Sequence, residues 1–167
     1  MNLIVAVDKN WGIGKDGKLL ANLPGDMKYF REKTQGKTVV MGRSTLESLP
    51  GGKPLPNRTN IVLTHNQDFK REGCIIVHDM QELLEELNNY HSEDVMIMGG
   101  ASVYNELIPY CDALYITKID YEFDADTHIK NVDELPGFKV VWQSDVMEDN
   151  GYQYRFLEYR RVAHRRK

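Results

Sequence analysis

The feature that most constrains the fold of this chain is a series of short, continuously apolar segments. They cover residues 3–7, 38–41, 59–63, 74–77, 94–98 and 113–119. Apolar and polar residues do not alternate within them, which is typical of strands that are buried on both faces of a parallel sheet. Because helices must then cover both faces of that sheet, we expect an α/β fold.

Helical segments separate several of the predicted strands. Residues 24–34, 79–90 and 101–110 carry apolar residues at helical spacing, and a shorter helix should follow Gly42. Asn150-Gly151 is a strong hairpin signal between the segments 138–144 and 152–159. We therefore predict a single domain over residues 1–160, with a central, mainly parallel mixed sheet of about eight strands that ends in an antiparallel hairpin and is flanked by about four helices. Residues 161–167 should form a basic, solvated tail rather than a binding arm.

Composition and charge argue against several classes of protein. The chain has 167 residues and a net charge of −4, which argues against nucleic acid as its main partner. No apolar run is long enough to cross a membrane, and the N-terminal segment does not resemble a signal peptide, so we expect a cytoplasmic protein. Cys74 and Cys111 lack the spacing of a metal site, so we expect free thiols in a reducing compartment and no metal.

An acid stands among apolar residues in the first predicted helix. Leu23, Met27 and Phe30 recur at the spacing of one helix face, and Asp26 is expected on that same face. An acid in apolar surroundings is costly to ionise, so the pKa of Asp26 should be raised. Such a group can hold a cationic or amide-like ligand or manage a proton, although an acid in a first helical turn can also simply interact with the helix dipole.

Two predicted strands end in glycine and lead directly into a helix, one at Gly42 and the other at Gly99-Gly100. Two such helix N-termini could hold two phosphates of one dinucleotide, although either glycine alone can simply form a tight turn. The ribose-binding acid of the Rossmann fingerprint is missing, which favours NADPH over NADH. In its place stand Arg43, Ser44, Thr64 and His65.

Two loops carry further candidates. Trp11-Gly12-Ile13-Gly14 begins a glycine-rich loop before the Asp26 helix. It could bind a phosphate, but no helix begins directly behind it, so we interpret residues 9–22 as a mobile lid. Arg58 follows the rigid segment Pro54-Leu55-Pro56 and could bind a carboxylate in a bidentate fork, although it could also be a solvated surface arginine.

Taken together, these residues resemble the dihydrofolate reductase family, of the bacterial chromosomal type. The resemblance is collinear from residue 3 to about residue 160 and rests on the segments 11–14, 23–30, 40–45, 54–58, 98–104 and 126–128. It implies NADPH-dependent reduction of 7,8-dihydrofolate to 5,6,7,8-tetrahydrofolate, with hydride transfer to C6 and protonation at N5. We expect a monomer that also binds antifolate inhibitors and has no nucleic-acid or membrane partner.

The resemblance also implies roles for individual residues. Asp26, supported by Thr117, would be the catalytic acid of the pocket, and Arg58 would bind the glutamyl α-carboxylate. The other substrate-binding residues would be Ile4, Val5, Ala6, Met27, Phe30, Leu49, Leu55, Met98 and Tyr104. NADPH would contact Ala6, Ile13, Gly14, Leu19, Gly42, Arg43, Ser44, Thr45, Leu63, Thr64, His65, His78, Gly99, Gly100, Ala101, Ser102, Val103, Tyr104 and Thr127. A cis peptide bond between Gly99 and Gly100 is implied as well.

The sequence departs from the family pattern at a few positions. Ala21 stands where the family usually has Trp, Leu46 where it has an aromatic residue, and Ser102 where an arginine often follows the Gly-Gly motif. Two alternatives remain open. Another NADPH-dependent pterin or pyrimidine reductase would lack the pair Asp26 and Arg58, and a non-catalytic nucleotide-binding module would have no need of a buried acid.

Overall fold

The apolar segments predicted as strands all become strands of one sheet. In the computed structural model, which describes residues 1–162, the strands are β1 (Asn2–Val7), β2 (Gly12–Gly14), β3 (Thr38–Gly42), β4 (Thr59–Leu63), β5 (Cys74–Val77), β6 (Val95–Gly99), β7 (Ala113–Ile119), β8 (Thr127–His128), β9 (Phe138–Gln143), β10 (Met147–Asp149) and β11 (Tyr152–Arg161). The helices are α1 (Pro24–Thr34), α2 (Arg43–Ser48), α3 (Met80–Leu87) and α4 (Ala101–Leu107). No helix within this part of the chain is long and apolar enough to cross a membrane.

The main sheet is mixed and mostly parallel, as predicted. Its strand order is β10-β11-β7-β1-β6-β3-β4-β5, and β9 also pairs with β11. Pairs from β7 to β5 are parallel, whereas β11 is antiparallel to β7, β9 and β10. The described residues thus form a sheet of nine strands. The number exceeds the predicted eight or so because the outer strand of the last hairpin is interrupted after Gln143. A separate small sheet pairs β2 with β8.

The C-terminal hairpin is confirmed and has the turn that its sequence indicates. Asn150 and Gly151 have φ values of 52° and 83°, the left-handed backbone that a tight hairpin turn requires. Arg161, which we assigned to the tail, is the last residue of β11, and its Nε donates to the Cys111 carbonyl at 2.9 Å. The strand continues because this bond and its pairing with Phe138 hold Arg161 in place. Residues 163–167 of the predicted tail lie outside the described residues.

Helices cover both faces of the sheet. On one face, Leu83 of α3 and Leu107 of α4 join a cluster with Leu3, Val5 and Val7 of β1. On the other face, residues of α1 and α2 pack with the alternate residues of β1 and β3. That second cluster includes Ile4, Phe30, Val39, Met41 and Leu46. Successive strand residues therefore face opposite helix layers, as a pleated strand requires.

The buried face of α1 differs from the predicted one. Asp26, Tyr29 and Phe30 are partly buried and turn toward the sheet, but Met27 is 48% exposed. The spacing from Leu23 placed Met27 on the inward face, yet each residue advances about 100° around a helix. The centre of the contact face lies between Asp26 and Phe30, which moves Met27 to its edge.

Candidate active site

The parallel strands end at a common edge of the sheet, and the candidate residues collect there. In α/β sheets, ligands bind in the crevice outside the carboxyl ends of the strands. β3 ends at Gly42 and is followed directly by α2, and β6 ends at Gly99 and is followed, after Gly100, by α4. Thr64 and His78 follow the ends of the neighbouring strands β4 and β5.

A partly buried hydrogen bond connects Asp26 to the centre of the sheet. The Thr117 hydroxyl donates to Asp26 Oδ1 at 2.6 Å. Thr117 is 2% exposed and lies opposite Ala6 in the register of β1 and β7. Pro24 begins α1 and brings Asp26 into its first turn, directly above these strands. The acid is therefore held at a fixed position by a donor 91 residues away in the chain.

The electrostatic surroundings of Asp26 match the prediction from its apolar neighbours. Burial raises the pKa of the Asp26 carboxyl, and the negative charge of Asp149 raises it further. The hydrogen bond from Thr117 opposes both effects, because it stabilises the ionised form. Asp26 can therefore exchange a proton at a higher pH than an ordinary aspartate does.

An apolar cluster lies on the α1 side of the sheet, the side on which Asp26 bonds to Thr117. Five of the predicted wall residues meet in one cluster: Ile4, Phe30, Leu49, Leu55 and Met98. Val5 is different, because its side chain alternates to the opposite face and packs with the α3 and α4 layer. The expectation of an inward Met27 is wrong, whereas a substrate contact of Val5 stays a prediction.

Tyr104 lies beneath the site as a neutral group. It is 5% exposed, and its hydroxyl donates to the Ile4 carbonyl at 2.7 Å. Burial raises the pKa of Tyr104 far above its ordinary value, and the charge of Asp26 adds to this. Tyr104 therefore acts by shape and hydrogen bonding rather than as an acid.

The two glycine-led helix starts lie side by side. β3 and β6 are adjacent and parallel, and Met41 pairs with Gly99. A Cβ atom on Gly99 would come within 3.3 Å of Thr45 Oγ1, and one on Gly42 within 3.5 Å of the Val103 side chain. Gly99 has a φ of 131°, which strongly favours glycine, and the Gly99–Gly100 peptide bond is cis, as the resemblance implied. The first turns of α2 and α4 therefore form one continuous surface of backbone donors.

Polar and cationic side chains flank this surface at the β3–β5 end. Arg43 lies over the Phe69 ring at 4.5 Å and its Nε donates to Glu47 at 3.3 Å. His78 Nδ1 donates to the Thr64 carbonyl at 3.0 Å. Ser44 and His65 are exposed at the same edge. These side chains place one guanidinium and several hydrogen-bonding groups at this end of the edge.

Arg58 is oriented by the end of α1. Its Nε donates to Thr34 Oγ1 at 3.0 Å and its Nη1 to the Pro56 carbonyl at 2.8 Å. Thr34 is completely buried, so the side chain of Arg58 has a fixed support. Burial and the neighbouring Arg31 both lower the pKa of Arg58, and a carboxylate bound there would relieve this repulsion.

The glycine-rich loop is attached to the β7–β8 segment. Ile13 and Gly14 lie in β2, and Gly14 pairs with Thr127 of β8. The Asp126 carboxylate accepts from the Asp16 N–H at 3.0 Å. Leu19 is 74% exposed at the far side of the loop. Ala21 packs against the cluster of Leu23, Ile119, Tyr154 and Phe156. The loop thus borders the site, and its mobility stays a prediction.

Three residues that organise the site, Asp8, Phe69 and Asp149, were not predicted from the sequence. Asp8 is fully buried and accepts from the N–H groups of Asn10, Gly12 and Phe123 at 2.8, 2.8 and 3.0 Å, which fixes the start of the loop. Its position directly after a buried strand and before Gly12 was a usable signal. Phe69 and Asp149 had no local signal, because each acts on a residue from a distant part of the chain.

The remaining predicted cofactor residues are distributed along the same edge. Leu63 ends β4, and Ala101 and Ser102 form the first turn of α4. Within residues 1–162, no group of three or more His, Cys, Asp or Glu side chains could hold a metal ion. Cys74 and Cys111 are both free, and burial raises the pKa of the Cys111 thiol to about 12.

Comparison with known proteins gives consistent matches over the whole described chain. The family model for dihydrofolate reductase matches residues 1–161. The dihydrofolate reductase of Bacillus subtilis (strain 168) is 41% identical over 161 residues, which cover 95% of this chain and 93% of that protein. That of Enterococcus faecium is 39% identical over 161 residues, 95% of each chain. The solved structure of dihydrofolate reductase from Enterococcus faecalis, complexed with NADP(H) and RAB-propyl, has a TM-score of 0.87 and 39% identity, and the match covers 97% of this chain and 96% of that one.

Proposed function

Because this chain belongs to the dihydrofolate reductase family and is an oxidoreductase that reduces dihydrofolate with NADPH, we propose which of its residues carry out that reaction. Asp26 is the catalytic acid, and Thr117 is its hydrogen-bonding support. The observation that carries this proposal is the 2.6 Å bond between Thr117 and the partly buried Asp26, within an otherwise apolar wall. Neither a reductase without an acid nor a nucleotide-binding module needs this arrangement.

The residues at the sheet edge fit NADPH. The adjacent helix starts after Gly42 and Gly100 offer backbone N–H groups to a pyrophosphate. Arg43 and His78, with the hydroxyls of Ser44 and Thr64, suit a ribose phosphate at the β3–β5 end. Among the described residues, Glu47 is the acid that pairs with Arg43. When bound, NADPH supplies the hydride that C6 of the substrate accepts.

The protein residues orient the substrate and favour its protonation. The Asp26 carboxylate accepts from the amino group and ring N–H of the pterin, and its charge favours the N5-protonated form. Ile4, Phe30 and Leu49 exclude water around that charge, which strengthens its effect. Arg58 binds the glutamyl carboxylate at the far end of the pocket. We expect kcat/KM to be bell-shaped in pH, with an acid limb set by Asp26 and an alkaline limb set by protonation at N5.

Thr117→Val should lower kcat/KM at neutral pH by about fivefold to 50-fold, because a buried acceptor loses its donor. The pKa of Asp26 should rise, since the lost hydrogen bond stabilised the ionised form, and the acid limb should move to higher pH. Thr117→Ser retains the hydroxyl and serves as the matched control. The measurement is kcat/KM against pH for both variants. A Val variant with the wild-type profile would contradict the role of Asp26 and its support.

Arg43→Ala should weaken NADPH binding by about tenfold to 100-fold and NADH binding much less, because a charge-assisted contact to the extra phosphate is lost. Arg71→Ala is the matched control, since Arg71 also lies over the Phe69 ring, at 5.3 Å, but bonds to the Gly52 carbonyl. Calorimetric titration with each cofactor checks this. Equal losses for NADPH and NADH would show that Arg43 does not bind the ribose phosphate.

We also propose that the chain acts as a monomer in the cytoplasm, and that antifolate inhibitors occupy its substrate pocket. The free thiols of Cys74 and Cys111 fit a reducing compartment. The net charge of −4 supports the absence of a nucleic-acid partner. The Enterococcus faecalis relative is complexed with RAB-propyl as well as NADP(H), which supports inhibitor binding.

A further inference from the structure

The first turn of α1 receives its side-chain cap from the other end of the chain. Its N-cap residue, Leu23, provides no side-chain hydrogen bond. The free N–H groups at a helix start require acceptors. Asp149, at the end of β10, accepts from the Gly25 N–H with Oδ2 at 2.8 Å, across 124 residues of sequence. The next residue after Gly25 is Asp26.

The Asp149 carboxylate is itself held in place. The Tyr154 hydroxyl donates to the same Oδ2 atom at 2.5 Å. Tyr154 is 2% exposed and packs edge-on against Phe156, at 5.6 Å between ring centroids. Phe156 in turn stacks on Tyr29 of α1 at 4.0 Å. The hairpin and the helix are therefore joined through a carboxylate and an aromatic stack.

Gly25 is the residue that this close approach requires. A Cβ atom there would collide with the Tyr154 hydroxyl and come within 3.0 Å of Asp149 Oδ2. Any larger residue would require the Tyr154 and Asp149 side chains to shift. Asn150, in the hairpin turn, makes a second contact by donating from Nδ2 to the Asn22 carbonyl at 2.6 Å.

We propose that Asp149 is a positioning residue for the reaction. Asp149 caps the first turn of α1 and holds a second negative charge near Asp26. This rests on the proposed function, in which Asp26 is the catalytic acid. The position of Asp26 relative to Thr117 depends on where the first turn of α1 lies. The Asp149 charge opposes ionisation of Asp26, because like charges repel.

Several titratable groups face Asp26, and Asp149 is the charged one among them. Tyr29 lies on α1, Tyr104 on α4 and Tyr154 on β11, and the pKa of each is raised, chiefly by burial. These tyrosines stay neutral throughout the range in which Asp26 titrates. Asp149 adds to burial in raising the pKa of Asp26.

The test uses variants that separate charge from capping. Asp149→Asn removes the charge but keeps an oxygen that can accept from Gly25 and Tyr154, whereas Asp149→Ala removes both. Asp145→Asn, an exposed acid in the same hairpin, is the control for a change in net charge. Two quantities are measured for each protein: the titration midpoint of the Asp26 carboxyl, by NMR of ¹³C-labelled aspartate without ligands, and kcat/KM against pH.

In Asp149→Asn, the Asp26 midpoint and the acid limb of kcat/KM should both move to lower pH. At alkaline pH, kcat should fall about twofold to fivefold. The variant has one negative charge fewer near the substrate, so the protonated substrate is less favoured. Asp149→Ala should add a loss of hydrogen-exchange protection in the first turn of α1. Asp145→Asn should match the wild type in both measurements.

An unchanged midpoint in Asp149→Asn would overturn the inference, and so would a changed midpoint with an unchanged acid limb. Failure of the proposed function looks different. In that case Asp26→Asn would keep the wild-type pH profile of kcat/KM. The Asp26 midpoint measured by NMR in Asp149→Asn would still move to lower pH. Because Asp149→Asn retains the acceptor, the test does not depend on whether Asp149→Ala folds.

Discussion

Asp26→Asn should lower kcat at neutral pH by about 100-fold, the usual contribution of a positioned acid or base. The amide keeps the size of the side chain and can still accept from Thr117, but it carries no negative charge to favour protonation at N5. Activity should recover in part as the pH falls, because solvent then protonates the substrate. Steady-state rates from pH 5 to pH 9 measure this, and a profile identical to that of the wild type would contradict the assignment.

The same variant should not be less stable. Burial raises the pKa of Asp26 in the folded protein above the ordinary value of 3.8, so ionisation costs more in the folded chain than in the unfolded one. The stabilisation from the neutral acid is complete below the unfolded pKa and is lost as the pH rises through the folded pKa. At neutral pH, ionised Asp26 therefore lowers the free energy of unfolding. Asn carries no charge, so the variant does not have this loss of stability. A thermal melt at pH 7 should give a Tm at or above that of the wild type.

Arg58→Leu should raise KM for dihydrofolate by about tenfold to 100-fold and change kcat much less. Its guanidinium donates to Thr34, at the end of α1, and to the Pro56 carbonyl. Because the carboxylate that it binds is remote from the reacting atoms, Arg58 should contribute equally to binding the substrate and the transition state. A lost charge-assisted pair has about this effect on affinity. Arg155→Leu, an exposed arginine on β11, is the control for the loss of one cation.

A substrate analogue without the glutamate distinguishes the carboxylate contact from a general defect. On the wild type this analogue should bind more weakly than dihydrofolate, whereas on Arg58→Leu the two should bind almost equally. If the analogue loses as much affinity on the variant as on the wild type, Arg58 does not bind the carboxylate.

Local sequence patterns were sufficient for the sheet and for part of the site. Continuous apolar segments identified the buried parallel strands, and Asn150-Gly151 identified the turn, because both signals lie within a few residues. Asp26 was found for the same reason, since its apolar neighbours are on the same helical turns. Thr117 came only from the family resemblance, because its contact with Asp26 joins residues 91 apart.

The errors also have physical causes. Met27 was expected to be buried because apolar spacing does not define where a contact face is centred, and the sheet contacts Tyr29 and Phe30 instead. The side chain of Val5 packs on the α3 and α4 face because strand residues alternate between faces, which the resemblance did not indicate, and its substrate contact stays a prediction. Asp149 could not be found locally, since its partner Gly25 is 124 residues away.

The most direct test of this account is a single-turnover reaction with dihydrofolate and NADPH in which both hydrogens at C4 of the nicotinamide ring are deuterium. The wild-type protein should consume the NADPH absorbance and yield tetrahydrofolate with deuterium at C6, and Asp26→Asn should form the same product much more slowly at neutral pH. No loss of absorbance, or a product without deuterium, would contradict direct hydride transfer at this site. Equal rates for the two proteins would contradict the role given to Asp26.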